Sequence, residues 1–158
     1  MKLARIGSTG PDWPPEDISG RGAAMYPGRW NTAGQRVTYA APTLALAVLE
    51  SAAHIDEHGL PLNKYVIEID VPEAIWQRRT SIATHALPVG WDAIPAGIVS
   101  FAIGSKWVAS GASALLEVPS AIVPEEFIVL INAAHPDAAA IRAHASRRFH
   151  YHTLFRAM

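Results

Sequence analysis

Glu50 closes an apolar run, Leu44-Ala45-Leu46-Ala47-Val48-Leu49, with no cation at helical spacing: its neighbours three and four positions away are Leu46, Ala47, Ala53 and His54. A carboxylate on such a helix costs free energy unless something satisfies it. A glutamate so placed can stabilise a developing cation or take a proton from a nucleophile. Three further polar side chains stand where polar groups need a reason. Arg29 follows Gly28 in a glycine-bounded Arg-Trp-Asn loop, Tyr39 ends a short β-type run, and Ser120 follows another, between Pro119 and Pro124. An arginine offers a planar, permanently charged fork suited to phosphate. A tyrosine offers a face for stacking and a hydroxyl handle. A serine hydroxyl orients a carboxylate or a sugar hydroxyl. Each also has a plain structural reading: Arg29 as a solvated loop residue, Tyr39 as core, Ser120 as a turn cap, Glu50 as a surface acid on a half-buried helix.

The elements that must position these residues follow from the pattern. Residues 8–35 hold many of the chain-breakers, among them Pro11, Pro14, Pro15, Gly20, Gly22, Pro27, Gly28 and Gly34. They read as one long irregular loop, of the kind that more often serves function than idles. Arg36 to Ala40 reads as a strand with Val37 and Tyr39 on one face. Thr43 is placed to cap a helix running to about His58, ended by Gly59 and Pro61. Tyr65 to Val71 alternates as a strand does. Residues 72–97 are less regular. A helix is expected over Ile98 to Ala109, weakened by Gly104. Strands are expected over Ser113 to Val118 and Phe127 to Ile131, a short helix over Ala138 to Ala145, and a last strand over Arg148 to Leu154. Strands and helices do not alternate regularly, so the fold class expected is α+β, as one domain spanning residues 1–158.

Histidines offer a competing chemistry. His54 and His58 lie four apart on the expected helix, a metal-ligand spacing, and His150 and His152 alternate on the expected last strand. The run His54-Ile55-Asp56-Glu57-His58 is not His-Glu-x-x-His, and no third ligand announces itself, so the reading is of no metal. Histidines in the last turns of a helix also suit its dipole. Gly20-Arg21-Gly22 does not extend to a dinucleotide fingerprint, because Met25 holds the last glycine position. There is no Gly-Lys-Ser/Thr loop and no Gly-x-Ser-x-Gly elbow.

Bulk composition narrows the class. The chain has 158 residues, 50% hydrophobic and 17% charged, which describes a globular protein able to bury a normal core. A net charge of −1 predicts no nucleic-acid surface. With no cysteine there is no disulfide, thiolate nucleophile or Cys-bound zinc. The stretch Met1 to Gly7 lacks the apolar core of a signal peptide, and the longest apolar run, Ala93 to Ser105, is too short to span a bilayer. A cytoplasmic protein with no membrane association is the expectation.

Several pieces together carry a resemblance. They are Ser19-Gly20-Arg21-Gly22-Ala23, Gly28-Arg29-Trp30-Asn31, Val37-Thr38-Tyr39-Ala40, Leu46-Ala47-Val48-Leu49-Glu50, Val118-Pro119-Ser120-Ala121, and Leu130-Ile131-Asn132 with His135-Pro136-Asp137. In this order the chain resembles the RES-domain family, toxins of bacterial toxin–antitoxin pairs. Pro27 departs from the pattern where a second glycine is expected, and Ala133-Ala134 where a proline usually precedes His135. The resemblance implies a core like that of ADP-ribosyltransferases, with NAD+ as substrate and an Xre-like antitoxin as partner. It implies cleavage of the nicotinamide–ribose bond, with ADP-ribose passing to water, to phosphate or, as the favoured reading, to a target protein. In that setting Glu50 would stabilise the oxocarbenium-like ribose and Arg29 would hold the pyrophosphate. Tyr39 would pack on the nicotinamide ribose or ring, and Ser120 would orient Glu50 or a ribose hydroxyl. Arg21, Trp30, Asn31 and Asn132 would support the cofactor. NAD+ glycohydrolase or phosphorylase activity is the nearest alternative. A metal-dependent hydrolase built on His54 and His58, and a non-catalytic binding module, are the more distant ones.

Overall fold

The structure, a computed structural model, describes residues 1–56 and 58–155. Its main elements are β1 (Lys2–Ser8), α1 (Arg21–Met25), β2 (Val37–Ala40), α2 (Leu44–Ala52), β3 (Lys64–Asp70), α3 (Glu73–Gln77), β4 (Thr80–Ser81), α4 (Ile98–Ser110), β5 (Leu115–Pro119), β6 (Phe127–Asn132) and β7 (Arg142–Phe149). They form two sheets, ordered β1-β3-β7 and β2-β6-β5-β4. All pairs are antiparallel except β4 with β5. The fold is α+β.

The four-stranded sheet explains why β5 and β6 read as nearly unbroken apolar runs. Leu115, Val129 and Ile131 pack with Leu3, Ile67 and Ile69 of the other sheet. Leu116, Val118, Ile128 and Leu130 turn the other way and pack with Trp30, Leu46, Trp91 and Trp107. Both faces are covered, so the strands need no polar alternation. An antiparallel bridge between Ala4 and Ala41, with both N–H···O bonds at 2.8 Å, ties β1 to the joint between β2 and α2.

Helix α2 starts as its sequence dictates: the Thr43 hydroxyl accepts from the Leu46 N–H at 3.2 Å. It ends at Ala52, not near His58. His54 N–H and Ile55 N–H bond back only three residues, which tightens the last turn, and the Asp56 carboxylate takes the His58 N–H at 2.9 Å. His54 and His58 therefore do not share a helix face, and Glu57 lies outside the described residues. The helix expected over 138–145 is absent as well. Pro136–Ala140 is a 3-10 turn, and the chain then enters β7, which pairs with β3 from Arg142 to Phe149 with one bulge at Ser146. Pairing with a ready strand edge overrides the helix preference of the alanines. The last strand ends at Phe149, and Tyr151–Leu154 is a 3-10 turn, so His150 and His152 do not alternate on a strand. Strand β1 was not expected, and α1 interrupts what read as loop.

Candidate active site

Tyr39 lies on the sheet face covered by Trp30, Trp91 and α4, the Arg29 loop packs beside it, and Glu50 and Ser120 meet at one end of the same sheet. Strand β2 delivers Tyr39 to that face beside Val37, and Leu130 of β6 stands opposite it in register. Because β2 and β5 both run antiparallel to β6, their C-terminal ends lie at the same edge of the sheet. From that edge β2 feeds α2, which carries Glu50, and β5 runs into Ser120.

Glu50 and Ser120, 70 residues apart, meet there. The Ser120 hydroxyl donates to Glu50 Oε1 at 2.5 Å. Its oxygen in turn accepts from the Ile122 and Val123 N–H groups at 3.1 and 3.0 Å. Ser120 is fully buried and Glu50 half-buried, so the serine fixes one carboxylate oxygen from beneath. The turn-cap reading and the carboxylate-orienting reading of Ser120 describe one arrangement: backbone donors fill its lone pairs, so its proton points to Glu50.

Arg29 is held differently. One guanidinium nitrogen, Nη1, donates to the carbonyls of Trp91 at 3.0 Å and Ala93 at 2.8 Å. Among the described residues its other guanidinium N–H groups bond no protein atom. The segment around Trp91 is thereby tied to the Arg29 loop, and Trp91 stacks on Trp30 with ring centres 6.0 Å apart. Nothing in the sequence pointed to this contact, because backbone carbonyls carry no residue identity. The Tyr39 hydroxyl accepts from the Trp30 N–H at 3.0 Å and donates to Asn31 Oδ1 at 2.8 Å. Burial pushes the Tyr39 phenol well above its ordinary range, only partly opposed by the Trp30 N–H and the nearby Arg29 charge.

The remaining candidates take other places. Trp30 and Asn31 are fully buried, and the Trp30 indole N–H has no partner among the described residues. Arg21 opens α1, bonds the Asp12 carbonyl at 3.3 Å, pairs with Asp17 at 3.6 Å and lies over the Trp13 ring. None of those contacts is with Arg29 or Glu50. Asn132 pairs with Val37, at the opposite end of β2 from the Glu50–Ser120 edge, and its side-chain Oδ1 accepts from the Ala134 N–H at 3.1 Å. Distance along the sheet separates it from the acid. A cavity of about 550 Å³ opens between the 14–19 segment and Ile131–Ala143, away from all four principal residues. A second, of about 470 Å³, lies against Leu46, Leu49, Val123 and Glu126, close in sequence to Glu50 and Ser120. Neither cavity is lined by Arg29, Tyr39, Glu50 or Ser120, which are distinguished instead by charge and fixed hydrogen bonds. No group of three histidine, aspartate or glutamate side chains able to hold a metal occurs among the described residues.

Comparison with known proteins gives this geometry a family. The chain is 48% identical over 147 residues to the "Prs ADP-ribosylating toxin" of Sphingobium sp. (strain YBL2), covering 93% of this chain and 91% of that protein. It is 37% identical over 114 residues to the "Toxin Res" of Photorhabdus laumondii, covering 72% of this chain and 71% of that one. A chain of the crystal structure of the M. tuberculosis MbcT–MbcA toxin–antitoxin complex superposes with a TM-score of 0.63, covering 92% of this chain and 84% of that one at 16% identity, a likeness of fold. The family model of the RES domain matches residues 2–153, and this chain belongs to the RES-domain family.

Proposed function

We propose that this protein is the toxin of a toxin–antitoxin pair that breaks the nicotinamide–ribose bond of NAD+ and passes ADP-ribose to a protein. The observation that carries the reading is the Glu50–Ser120 pair: a half-buried carboxylate, on a helix offering it no cation, oriented by a buried hydroxyl at 2.5 Å. When the C1′–N bond breaks, its electron pair leaves with nicotinamide, which departs neutral and needs no strong acid. Positive charge is left on the ribose, and a fixed anion beneath it lowers the barrier. The acceptor nucleophile then bonds C1′ and gives up its proton, for which the same carboxylate is in reach as base. Arg29, with N–H groups to spare, binds the pyrophosphate, and the Tyr39 ring flanks the nicotinamide ribose.

The transferase reading is supported by the printed name of the 48%-identical Sphingobium relative. The antitoxin partner is supported by the neighbouring complex, which pairs a toxin with an antitoxin; an Xre-like protein that covers the cleft fits the resemblance. A cytoplasmic location fits a consumer of NAD+. Labelled NAD+ incubated with protein and cell extract tests the reading. We expect label on a discrete protein band, lost in Glu50→Gln. Release of only free ADP-ribose or its phosphate, whatever proteins are supplied, would replace transfer by NAD+ depletion. No nicotinamide release at all would sink the enzyme reading.

A further inference from the structure

Asn31 is fully buried, and its side chain is spent on backbone and on one phenol. Its Nδ2 donates to the carbonyls of Ala23 at 2.8 Å and Thr32 at 3.1 Å. Its Oδ1 accepts from the Gly28 N–H at 2.9 Å and from the Tyr39 hydroxyl at 2.8 Å. The Tyr39 hydroxyl, on its other side, accepts from the Trp30 N–H at 3.0 Å. Gly28 and Trp30 are the two residues that flank Arg29. The carboxamide and the phenol thus hold the main chain immediately before and immediately after the arginine, through one continuous set of bonds anchored on β2 and α1.

We propose that Asn31 is a positioning residue for Arg29: with the Tyr39 hydroxyl it fixes the backbone on both sides of the arginine, and so presents the guanidinium to an anionic ligand that Asn31 itself never touches. The inference rests on reading Arg29 as the pyrophosphate-binding residue. A long, flexible side chain on a mobile loop loses much of its binding advantage in being ordered, and a clamp at its root removes that loss before the ligand arrives. Three observations fit this use better than a general packing role. Both polar ends of the carboxamide are engaged on residues of the Arg29 loop or α1. The phenol is kept protonated by its burial, so it remains a donor to Asn31. A side chain at Gly28 would run into the Tyr39 ring, with a built Cβ 2.7 Å from its carbon, so the loop and the phenol are fitted to each other.

The test is a mutant cycle on the full chain, following nicotinamide release from NAD+. Asn31→Ala, Tyr39→Phe, Arg29→Ala and the doubles Arg29→Ala/Asn31→Ala and Arg29→Ala/Tyr39→Phe are compared for KM and kcat, with thermal melting as a check on folding. We expect Asn31→Ala to raise KM roughly tenfold with kcat little changed, the size of coupling found between groups in one hydrogen-bonded network. Tyr39→Phe, which keeps the ring and removes only the hydroxyl bonds, should raise KM less. On the Arg29→Ala background neither change should raise KM further. If Asn31→Ala does not fold, the Tyr39→Phe arm alone decides by the same criterion. A loss in kcat at constant KM, or KM effects that add fully to that of Arg29→Ala, overturns the positioning role while leaving Arg29 as the phosphate ligand. An Arg29→Ala variant with unchanged KM removes the underlying reading and this inference with it.

Discussion

Ser120 has two kinds of partner, and their loss would be felt in two different measurements. Its oxygen satisfies two backbone donors and its proton fixes Glu50. Ser120→Ala leaves the Ile122 and Val123 N–H groups short of an acceptor, which costs about 1–3 kcal/mol in a denaturant titration. It also frees the carboxylate to rotate, so nicotinamide release should fall, though by less than in Glu50→Gln. That second variant keeps the shape and removes the charge, and should lose roughly 10²–10³ in rate with little change in stability. Equal rates in wild type and a folded Glu50→Gln protein would deny the acid its role. Tyr39 makes a pH prediction. Burial raises its phenol above the ordinary 10.0, so the folded protein keeps the proton while the unfolded chain releases it. Its contribution to stability is whole below that ordinary value and drains away as pH climbs beyond it. A spectrophotometric titration should show a late phenolate phase that Tyr39→Phe abolishes. At this scale the sequence singled out Glu50 and Ser120, which the structure brings together, for a physical reason: an acid without a cation and an arginine in a glycine-bounded loop are visible as anomalies. The bonds of Asn31 were not visible, since an asparagine in a glycine-bounded loop reads the same whether its amide faces water or clamps the chain.

Among the elements, α4 shows how a weakness in sequence becomes a fit in structure. Gly104 lowers the helix propensity of Ile98–Ser110, yet a Cβ there would lie 1.6 Å from the Trp30 carbonyl oxygen. The helix lies backbone to backbone against the loop that carries Arg29. Alanine at this position gains about 1 kcal/mol in helix propensity. It must also push the helix or the loop aside, and overpacking of this kind costs about 1–3 kcal/mol or more. Gly104→Ala should therefore be destabilised in urea unfolding and should bind NAD+ less well. A more stable Gly104→Ala protein would mean that helix and loop do not touch in solution. Periodicity found β2, β3, β5, β6, the start of α2 and nearly all of α4, because each has a clear apolar rhythm or a cap. It failed on β1 and β7. In β7, alanines and cations give no alternating apolar signal, and only pairing with β3 makes Arg142–Phe149 a strand. It overran α2 because the turn bonds at His54 and Ile55 end a helix without a glycine at that point.

For the molecule as a whole, the two sheets share one division of labour. One face of the four-stranded sheet packs Leu115, Val129 and Ile131 against Leu3, Ile67 and Ile69, and the opposite face, under the two tryptophans and α4, takes Tyr39. The α+β class was legible from irregular element order, but this division was not, since β5 and β6 are apolar on both sides and give no hint of which side is which. The Glu50–Ser120 bond spans 70 residues and the Arg29–Trp91 bond 62, whereas the Asn31–Tyr39 bond spans only 8. Synthesis runs in one direction, so these three bonds become possible at different moments. The local clamp around Arg29 can form early. The acid must wait for β6, since β6 alone joins β2 to β5 and so brings Ser120 to Glu50. A growing chain still short of residue 132 holds no oriented acid, and the Glu50–Ser120 pair is completed only after most of the length has been synthesised.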